Sequence, residues 1–257
     1  MENSIYTYVD QFPEFASKIL ESQDITDIQF KKPCEDFRDS KLTTYNGDKP
    51  QFIKECTKIV KYLEDNKSNA NFKPAFCKYI NYWLYDTLEK MDPFSSNALL
   101  DAFYSNIGKL NICQTYKNHI EKEIYDDLKE LYNLHEHLIK YKKESKQAQD
   151  DSCVHAKNGA ELYESHVDKC KWMHNYGYCS SLKKFRDVYE NHRTEENKCS
   201  VNMQYLTPFT SFGAWLRPRL PGGKHKTKKL EKKMQDLRNT SDVRNSRYTL
   251  PYHSSQS

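Results

Sequence analysis

Apolar residues recur every three to four positions through most of the first 200 residues, which is the spacing of one buried face of a helix. The first stripe predicts an amphipathic helix that Pro13 kinks or restarts. Its members are Ile5, Tyr8, Val9, Phe12, Phe15, Ile19 and Leu20. Residues 31–50 show no sustained period and contain Pro33 and the turn-forming Asn46-Gly47-Asp48, so they predict a loop.

Two clear stripes follow, on either side of a polar run at residues 64–71. They predict a helical hairpin whose seam contains one cysteine from each helix. The first stripe comprises Phe52, Ile53, Cys56, Ile59, Val60 and Leu63, and the second Phe76, Cys77, Ile80, Trp83, Leu84, Leu88 and Met91. Asp92-Pro93 ends the second helix. The next helix is expected to face inward with Leu99, Leu100, Phe103, Ile107 and Leu110.

The longest periodic segment runs from Ile112 to Tyr141 and predicts a central helix of about 45 Å at 1.5 Å per residue. Polar residues at 142–152 predict a surface connection. Two shorter helices follow, with inward stripes of Ala156, Ala160, Tyr163, Val167 and Cys170, then Cys179, Leu182, Phe185, Val188 and Tyr189. The predicted fold class is therefore all-α, an irregular multi-helix bundle of about seven helices with negligible sheet.

The composition predicts a folded protein with a polar surface. Charged residues make up 30% of the chain and its mean hydropathy is −0.95, yet 12 Phe, 19 Tyr and 3 Trp supply side chains that can exclude water. Only 7 of 257 residues are glycine, which favours helices and leaves little material for phosphate-binding loops. No nucleotide-binding motif is present in the sequence, so we expect no cofactor.

Charge is distributed unevenly. Residues 217–257 hold eleven Lys and Arg and three acidic residues, and because the whole chain carries +4, residues 1–216 carry −4. A domain of residues 1–200 is thus expected to precede a flexible, largely disordered tail at 201–257. The tail's basic cluster comprises Lys224, Lys226, Lys228, Lys229, Lys232 and Lys233. It suits an anionic membrane surface; nucleic acid is a weaker candidate because no aromatic residues are interleaved for base stacking.

All eight cysteines lie in the acidic body, at Cys34, Cys56, Cys77, Cys113, Cys153, Cys170, Cys179 and Cys199. Their even number and their confinement favour disulfides formed in an oxidising space. Eight reduced, buried thiols in a cytosolic helical protein remain the alternative. Because eight cysteines allow 105 pairings, the sequence leaves the connectivity open.

Candidate reactive sites are few. His135 and His137 lie about 200° apart on a helix and cannot share a metal, so both are expected at the solvated rim. For Cys170, His174 and Cys179, a local disulfide around a turn at 175–178 is favoured over a metal site. The carboxylate pairs Asp126-Asp127 and Asp150-Asp151 are expected to be solvated. We therefore predict no catalytic, metal or cofactor residue and no enzymatic activity.

The segment from Cys77 to Leu88 resembles the helix signature of the Plasmodium interspersed-repeat (PIR/VIR) variant surface antigens. Its structural residues are Cys77, Tyr79, Asn81, Tyr82, Trp83, Leu84, Tyr85 and Asp86. Further similar segments occur in the family's order, among them 62–66, 131–135, Thr207-Pro208-Phe209 and 215–220. In this resemblance the last two match a juxtamembrane tail.

The resemblance implies a variant, host-facing antigen of a malaria parasite, involved in immune evasion and in adhesion to host-cell receptors. Its partners would be a host-cell surface receptor or antibodies, contacted by polar loops at 31–50, 66–74 and 142–152. The alternative is an exported intracellular scaffold that docks on membrane or cytoskeleton through its basic tail.

The same resemblance implies export to the infected red-cell surface or secretion. Family members carry a membrane-spanning helix before the Pro-Phe motif, but only Val201 to Leu206 separate Cys199 from Thr207 here. No signal-like start and no stretch of about 20 apolar residues is present in the sequence. The chain as written is therefore expected to be soluble.

Overall fold

The computed structural model describes residues 4–91, 94–145, 153–170, 175–195, 199 and 203–209, and within these ranges the chain is helical with no strand. The all-α prediction is confirmed, with eight α-helices in the described part of the chain. They are α1 (Phe12–Glu21), α2 (Ile28–Lys41), α3 (Lys49–Asn66), α4 (Phe72–Leu88), α5 (Ser96–Asn106), α6 (Lys122–Glu144), α7 (Val154–His166) and α8 (Tyr176–Glu195). Four 3-10 segments are Ile5–Thr7, Val9–Gln11, Gly108–Tyr116 and Val167–Cys170.

At the N-terminus, two 3-10 turns precede α1, and Pro13 occupies the first turn of that helix. A proline is tolerated there because the first N–H groups of a helix have no intrahelical partner. The predicted restart of the helix at Pro13 is therefore confirmed. Leu20 departs from its predicted stripe, since 62% of it is exposed.

The predicted loop at 31–50 is wrong over 31–41, which belong to α2. Asp27 caps this helix by accepting a hydrogen bond from the Gln29 N–H at 3.0 Å. Pro33 lies inside the helix and removes one backbone donor, but Phe30, Cys34 and Phe37 form a buried face against α3 and α5. Packing therefore overrides the proline, and the loop is confined to 42–48.

The central helix begins ten residues later than predicted, because α6 starts at Lys122. Its 23 residues span about 34 Å. Residues 112–116 belong instead to a 3-10 segment that a disulfide and a hydrogen bond hold against α4, and Lys117 and Glu121 are extended. The apolar period continues through this break because Cys113 and Ile120 still face the core.

Helix α6 packs against α1, α4, α7 and α8 and so occupies the middle of the bundle. Much of the core around it is aromatic. Fully buried tyrosines are Tyr125, Tyr141, Tyr163, Tyr178 and Tyr189. No helix within the described ranges combines the length and the apolar character that a bilayer crossing requires.

After α8 the chain lies back on the helices. Residues 203–209, which we call the strap, form no helix and contact α7 and α8, and the compact unit that contains them ends at Phe209. Leu206 is 1% exposed. The first residues after the predicted boundary near 200 are therefore in contact with the helical domain, while the position of the boundary itself stays a prediction.

Candidate binding surface

All eight candidate cysteines are joined in disulfides. The pairs are Cys34–Cys56, Cys77–Cys113, Cys153–Cys199 and Cys170–Cys179, with Cα–Cα distances of 6.0, 5.4, 6.1 and 5.6 Å. No cysteine is free to act as a nucleophile or a metal ligand. The segment expected to form a turn within the Cys170–Cys179 bridge instead begins α8 at Tyr176, and His174 lies outside the described residues.

The signature residues lie together on α4, where all of them except Asp86 are buried. Tyr79 and Tyr82 pack against Phe12 with ring centroids 5.7 and 5.5 Å away. Trp83 stacks on Phe52 and donates its Nε1–H to Glu55 at 3.0 Å. These aromatic side chains therefore organise the core and are not exposed as a ligand-binding strip.

Asn81 has a defined polar role within this helix. Its Nδ2 donates to the Tyr116 carbonyl at 2.9 Å, and its Oδ1 accepts from the Tyr104 hydroxyl at 2.8 Å. The amide thus ties α4 to α5 and to the 3-10 segment. Nearby Lys78 is buried and donates to Asn118 Oδ1, and burial lowers the pKa of its ammonium group.

The exposed end of the signature helix borders an open groove of about 410 Å³. The walls are residues 45–47 from the loop, Asp86, Thr87, Glu89 and Lys90 from the end of α4, and Lys129 from α6. The Tyr45 ring folds over Gly47, where any side chain would meet it: an added Cβ would lie 2.2 Å from Tyr45 Oη. Glycine at this position therefore lets the loop close one side of the groove.

Two carboxylates of the groove lining converge on one phenol. Tyr125 Oη lies 2.6 Å from Asp86 Oδ1 and 2.8 Å from Glu89 Oε1, so its single proton serves one carboxylate at a time. Lys129 Nζ donates to Tyr125 Oη at 2.6 Å and to Glu89 at 3.1 Å. Burial, followed by the contacts with Asp86 and Glu89, raises the pKa of Tyr125, so the phenol keeps its proton.

The groove combines carboxylate acceptors, ammonium donors and an aromatic ring. Lys90 is exposed, and no interaction with another described residue engages its ammonium group. The lining, as far as the structure describes it, includes no histidine, serine or cysteine. The arrangement is suited to hydrogen-bonded contact with a polar partner.

The two adjacent histidines differ from their predicted setting. His135 is 3% exposed, and burial lowers its pKa to about 4. His137 reaches α7, where its Nδ1 lies 3.0 Å from His155 Nδ1, and His155 Nε2 lies 3.3 Å from Glu144. The solvated-rim prediction is wrong for His135 because α6 turns that position toward α8. No group of three or more potential metal ligands occurs in the described ranges.

Asp127 also departs from its predicted solvated state. Its Oδ2 accepts from the Tyr6 hydroxyl at 3.1 Å and from Asn175 Nδ2 at 3.0 Å, whereas Asp126 is exposed and pairs with Lys122. These two partners of Asp127 lie 121 and 48 positions away along the chain, so no local pattern reveals them. Asp150, Asp151 and the basic cluster at 224–233 lie outside the described residues.

Tyr45, Glu89, Tyr125 and Lys129 were not predicted to be parts of one site. Weak signals were present: Asn46-Gly47 is a turn sequence that exposes its neighbours, and Tyr125 and Lys129 are four residues apart on one helix face. Neither signal indicates that the loop and the two helices meet.

The sequence model of the family described as Plasmodium vivax Vir protein matches residues 3–218. No curated protein matches the chain, and neither does any solved structure. The matched range covers most of the 257 residues, including the signature helix, all four disulfides and the strap. The chain belongs to the Plasmodium vivax Vir protein family.

Proposed function

We propose that this protein is a host-facing variant antigen that serves immune evasion and adheres to a host-cell receptor through the surface around the groove. The observation that carries the proposal is the pairing of all eight cysteines within one helical domain. Disulfides of this density persist in oxidising surroundings and are rare where glutathione keeps thiols reduced. This supports exposure outside the cytosol over an intracellular scaffold.

The distribution of contacts supports a role for the loops. Residues 67–71, like the loop at 42–48, are mostly exposed, and the core is formed by the helices on either side of them. Exposed loops on a rigid scaffold tolerate sequence change without loss of the fold. Antigenic variation requires this combination, and the groove places one such loop beside the charged end of α4.

A catalytic role has no support. The Vir family is not an enzyme family, and the groove offers polar contacts in place of a reactive pair. We therefore infer that recognition is the activity, with the carboxylates of Asp86 and Glu89 and the ammonium groups of Lys90 and Lys129 as the polar contacts available to a partner.

The first test counts thiols in protein isolated from infected cells under trapping conditions that prevent later oxidation. After denaturation without reductant, we expect no reactive thiol. Eight reactive thiols would contradict the host-facing proposal and favour an intracellular scaffold that docks through its basic tail.

The second test measures binding of the oxidised full chain to a panel of host-cell receptor ectodomains, with the reduced and alkylated chain as control. Binding should require the oxidised fold. Lys90→Glu reverses a charge in the groove and should weaken binding, whereas Lys143→Glu should not. Lys143 is a matched control because it is exposed near the end of α6, about 21 Å along that helix from Lys129. Equal loss in both variants would argue against the groove.

A further inference from the structure

One disulfide differs from the other three in its exposure. Cys153 and Cys199 are both partly exposed, whereas the other six cysteines are at most 5% exposed. A thiolate opens a disulfide by attacking one of its sulfur atoms, so the rate depends on access to that atom. A thiol in solution is therefore expected to react with the Cys153–Cys199 bond faster than with the other three disulfides.

This disulfide stands at the start of the strap. Cys153 is the N-cap of α7, and Cys199 precedes Met203 by four positions. The bond thus fastens the chain that leaves α8 to the beginning of α7. Because it fixes the chain four positions before the strap, it lowers the entropic cost of holding the strap on the helices.

Beyond the disulfide, side chains of α7 and α8 hold the strap by its backbone. Leu206 N–H donates to Glu190 and Thr207 N–H to Glu164, both at 2.6 Å. The Tyr163 hydroxyl donates to the Thr207 carbonyl at 2.6 Å. These are a few individual hydrogen bonds and not a continuous ladder, and each contributes modestly in the presence of water. Arg186 Nε and the Tyr189 hydroxyl also donate to the Leu206 and Gln204 carbonyls at 3.3 and 3.4 Å, and Met203 and Leu206 are buried. The disulfide adds to these contacts, and its opening raises the entropic cost of keeping the strap in place.

We propose that Cys153–Cys199 is a thiol–disulfide exchange site for low-molecular-weight thiols, and that its opening loosens the strap while the other three disulfides stay closed. In the first step an external thiolate bonds to one cysteine sulfur, and the other cysteine leaves as a thiolate that takes a proton from water. In the second step another external thiolate attacks the external sulfur of this mixed disulfide, and the second cysteine leaves as a thiolate that takes a proton from water. Both cysteines are then reduced, and the two external thiols are joined in a disulfide.

The exchange makes the attachment of the strap sensitive to the redox state of the surroundings. In an oxidising space the bond is closed and the strap stays on α7 and α8. Where thiols are abundant the bond opens, and residues 203–209 gain freedom. The helical bundle retains its buried cross-links in both states.

The oxidised full chain is treated with increasing concentrations of reduced glutathione, quenched with acid, alkylated and mapped by peptide mass spectrometry. We expect Cys153 and Cys199 to be labelled first, at a rate about tenfold or more above that of any other pair. In the same samples, hydrogen exchange of the Leu206 and Thr207 amides should accelerate once this pair is reduced, while amides of α4 stay protected. This measurement needs no variant.

The variant with Cys153→Ser and Cys199→Ser provides the complementary sample. Its strap amides should exchange rapidly with or without glutathione, and its other six cysteines should stay unlabelled. Reduction of a different pair first, of no pair, or of all four pairs together would overturn the proposal. So would strap amides whose exchange does not change when the Cys153–Cys199 bond opens.

Discussion

His135 shows how burial of one side chain makes stability depend on pH. Its ring packs edge-to-face on Phe185 with centroids 5.8 Å apart, and its Nε2 has no hydrogen-bond partner among the described residues. Burial lowers its pKa to about 4, an effect that Asp10 opposes and that Lys184 and Lys142 reinforce. The pKa values of His137 and His166 are also lowered, with burial as the largest cause.

A neutral, buried histidine stabilises the fold at pH values above its unfolded pKa of about 6.5. As pH falls from there toward 4, the unfolded state binds a proton that the folded state does not, so stability is lost, by up to about 3 kcal/mol. Urea unfolding between pH 7.5 and pH 4.5 measures this loss. His135→Leu removes the titrating group and should make the free energy of unfolding depend less on pH. An unchanged dependence on pH would indicate that other groups cause the loss of stability.

Tyr125 is the second residue whose removal gives a specific prediction. Tyr125→Phe keeps the stacking with Tyr85, whose ring centroid is 4.4 Å away, but removes the hydroxyl shared by Asp86 and Glu89. The two carboxylates would then lose their common donor, and we expect a loss of about 1–3 kcal/mol in the free energy of unfolding.

Tyr132→Phe is the matched control for Tyr125→Phe. Tyr132 stacks on Tyr82, as Tyr125 does, but its hydroxyl has no hydrogen bond to another described residue. Denaturant titration should find little change in this control. A similar loss in both variants would indicate that ring packing, and not the shared hydroxyl, accounts for the effect.

At the scale of the elements, α2 combines an internal proline with a disulfide. It contains Pro33, and the Cys34–Cys56 disulfide joins it to α3 across 22 positions. Replacing both cysteines with alanine should cost about 3 kcal/mol through the freedom restored to the unfolded chain. Native-state hydrogen exchange should show α2 opening first, because its own backbone bonding is already interrupted.

The Cys170–Cys179 pair provides a comparison for α2. It closes a loop of only 9 positions and is buried, like Cys34–Cys56. Its double alanine variant should lose less stability, because closure of a short loop restricts the unfolded chain less. If this variant proved the less stable of the two, packing around the sulfur atoms would outweigh loop closure.

On the scale of the whole molecule, the helical unit is complete only with its strap. We expect a chain ending at Phe209 to be more stable than one ending at residue 202, because the shorter chain leaves the site of Leu206 uncovered and the carboxylates of Glu164 and Glu190 without their N–H partners. Burial of a leucine side chain alone is worth about 1.5–3 kcal/mol. Thermal and urea unfolding of the two chains measures the difference; equal stabilities would place the domain boundary near 200.

The sequence by itself determined the all-helical class, most of the buried faces and the family. Apolar periodicity and a run of signature residues are local properties, so both can be read from the order of residues alone. The sequence also predicted the local Cys170–Cys179 disulfide. Only the tertiary structure decided how the other six cysteines pair, that α2 forms despite Pro33, that α6 begins at Lys122, and that His135 is buried. It also brought Tyr45, Asp86 and Lys129 to one groove. Each of these features depends on contacts between residues that are distant along the chain. The energy of such contacts can exceed the local preference for helix or loop, and the local spacing of apolar residues does not reveal these contacts.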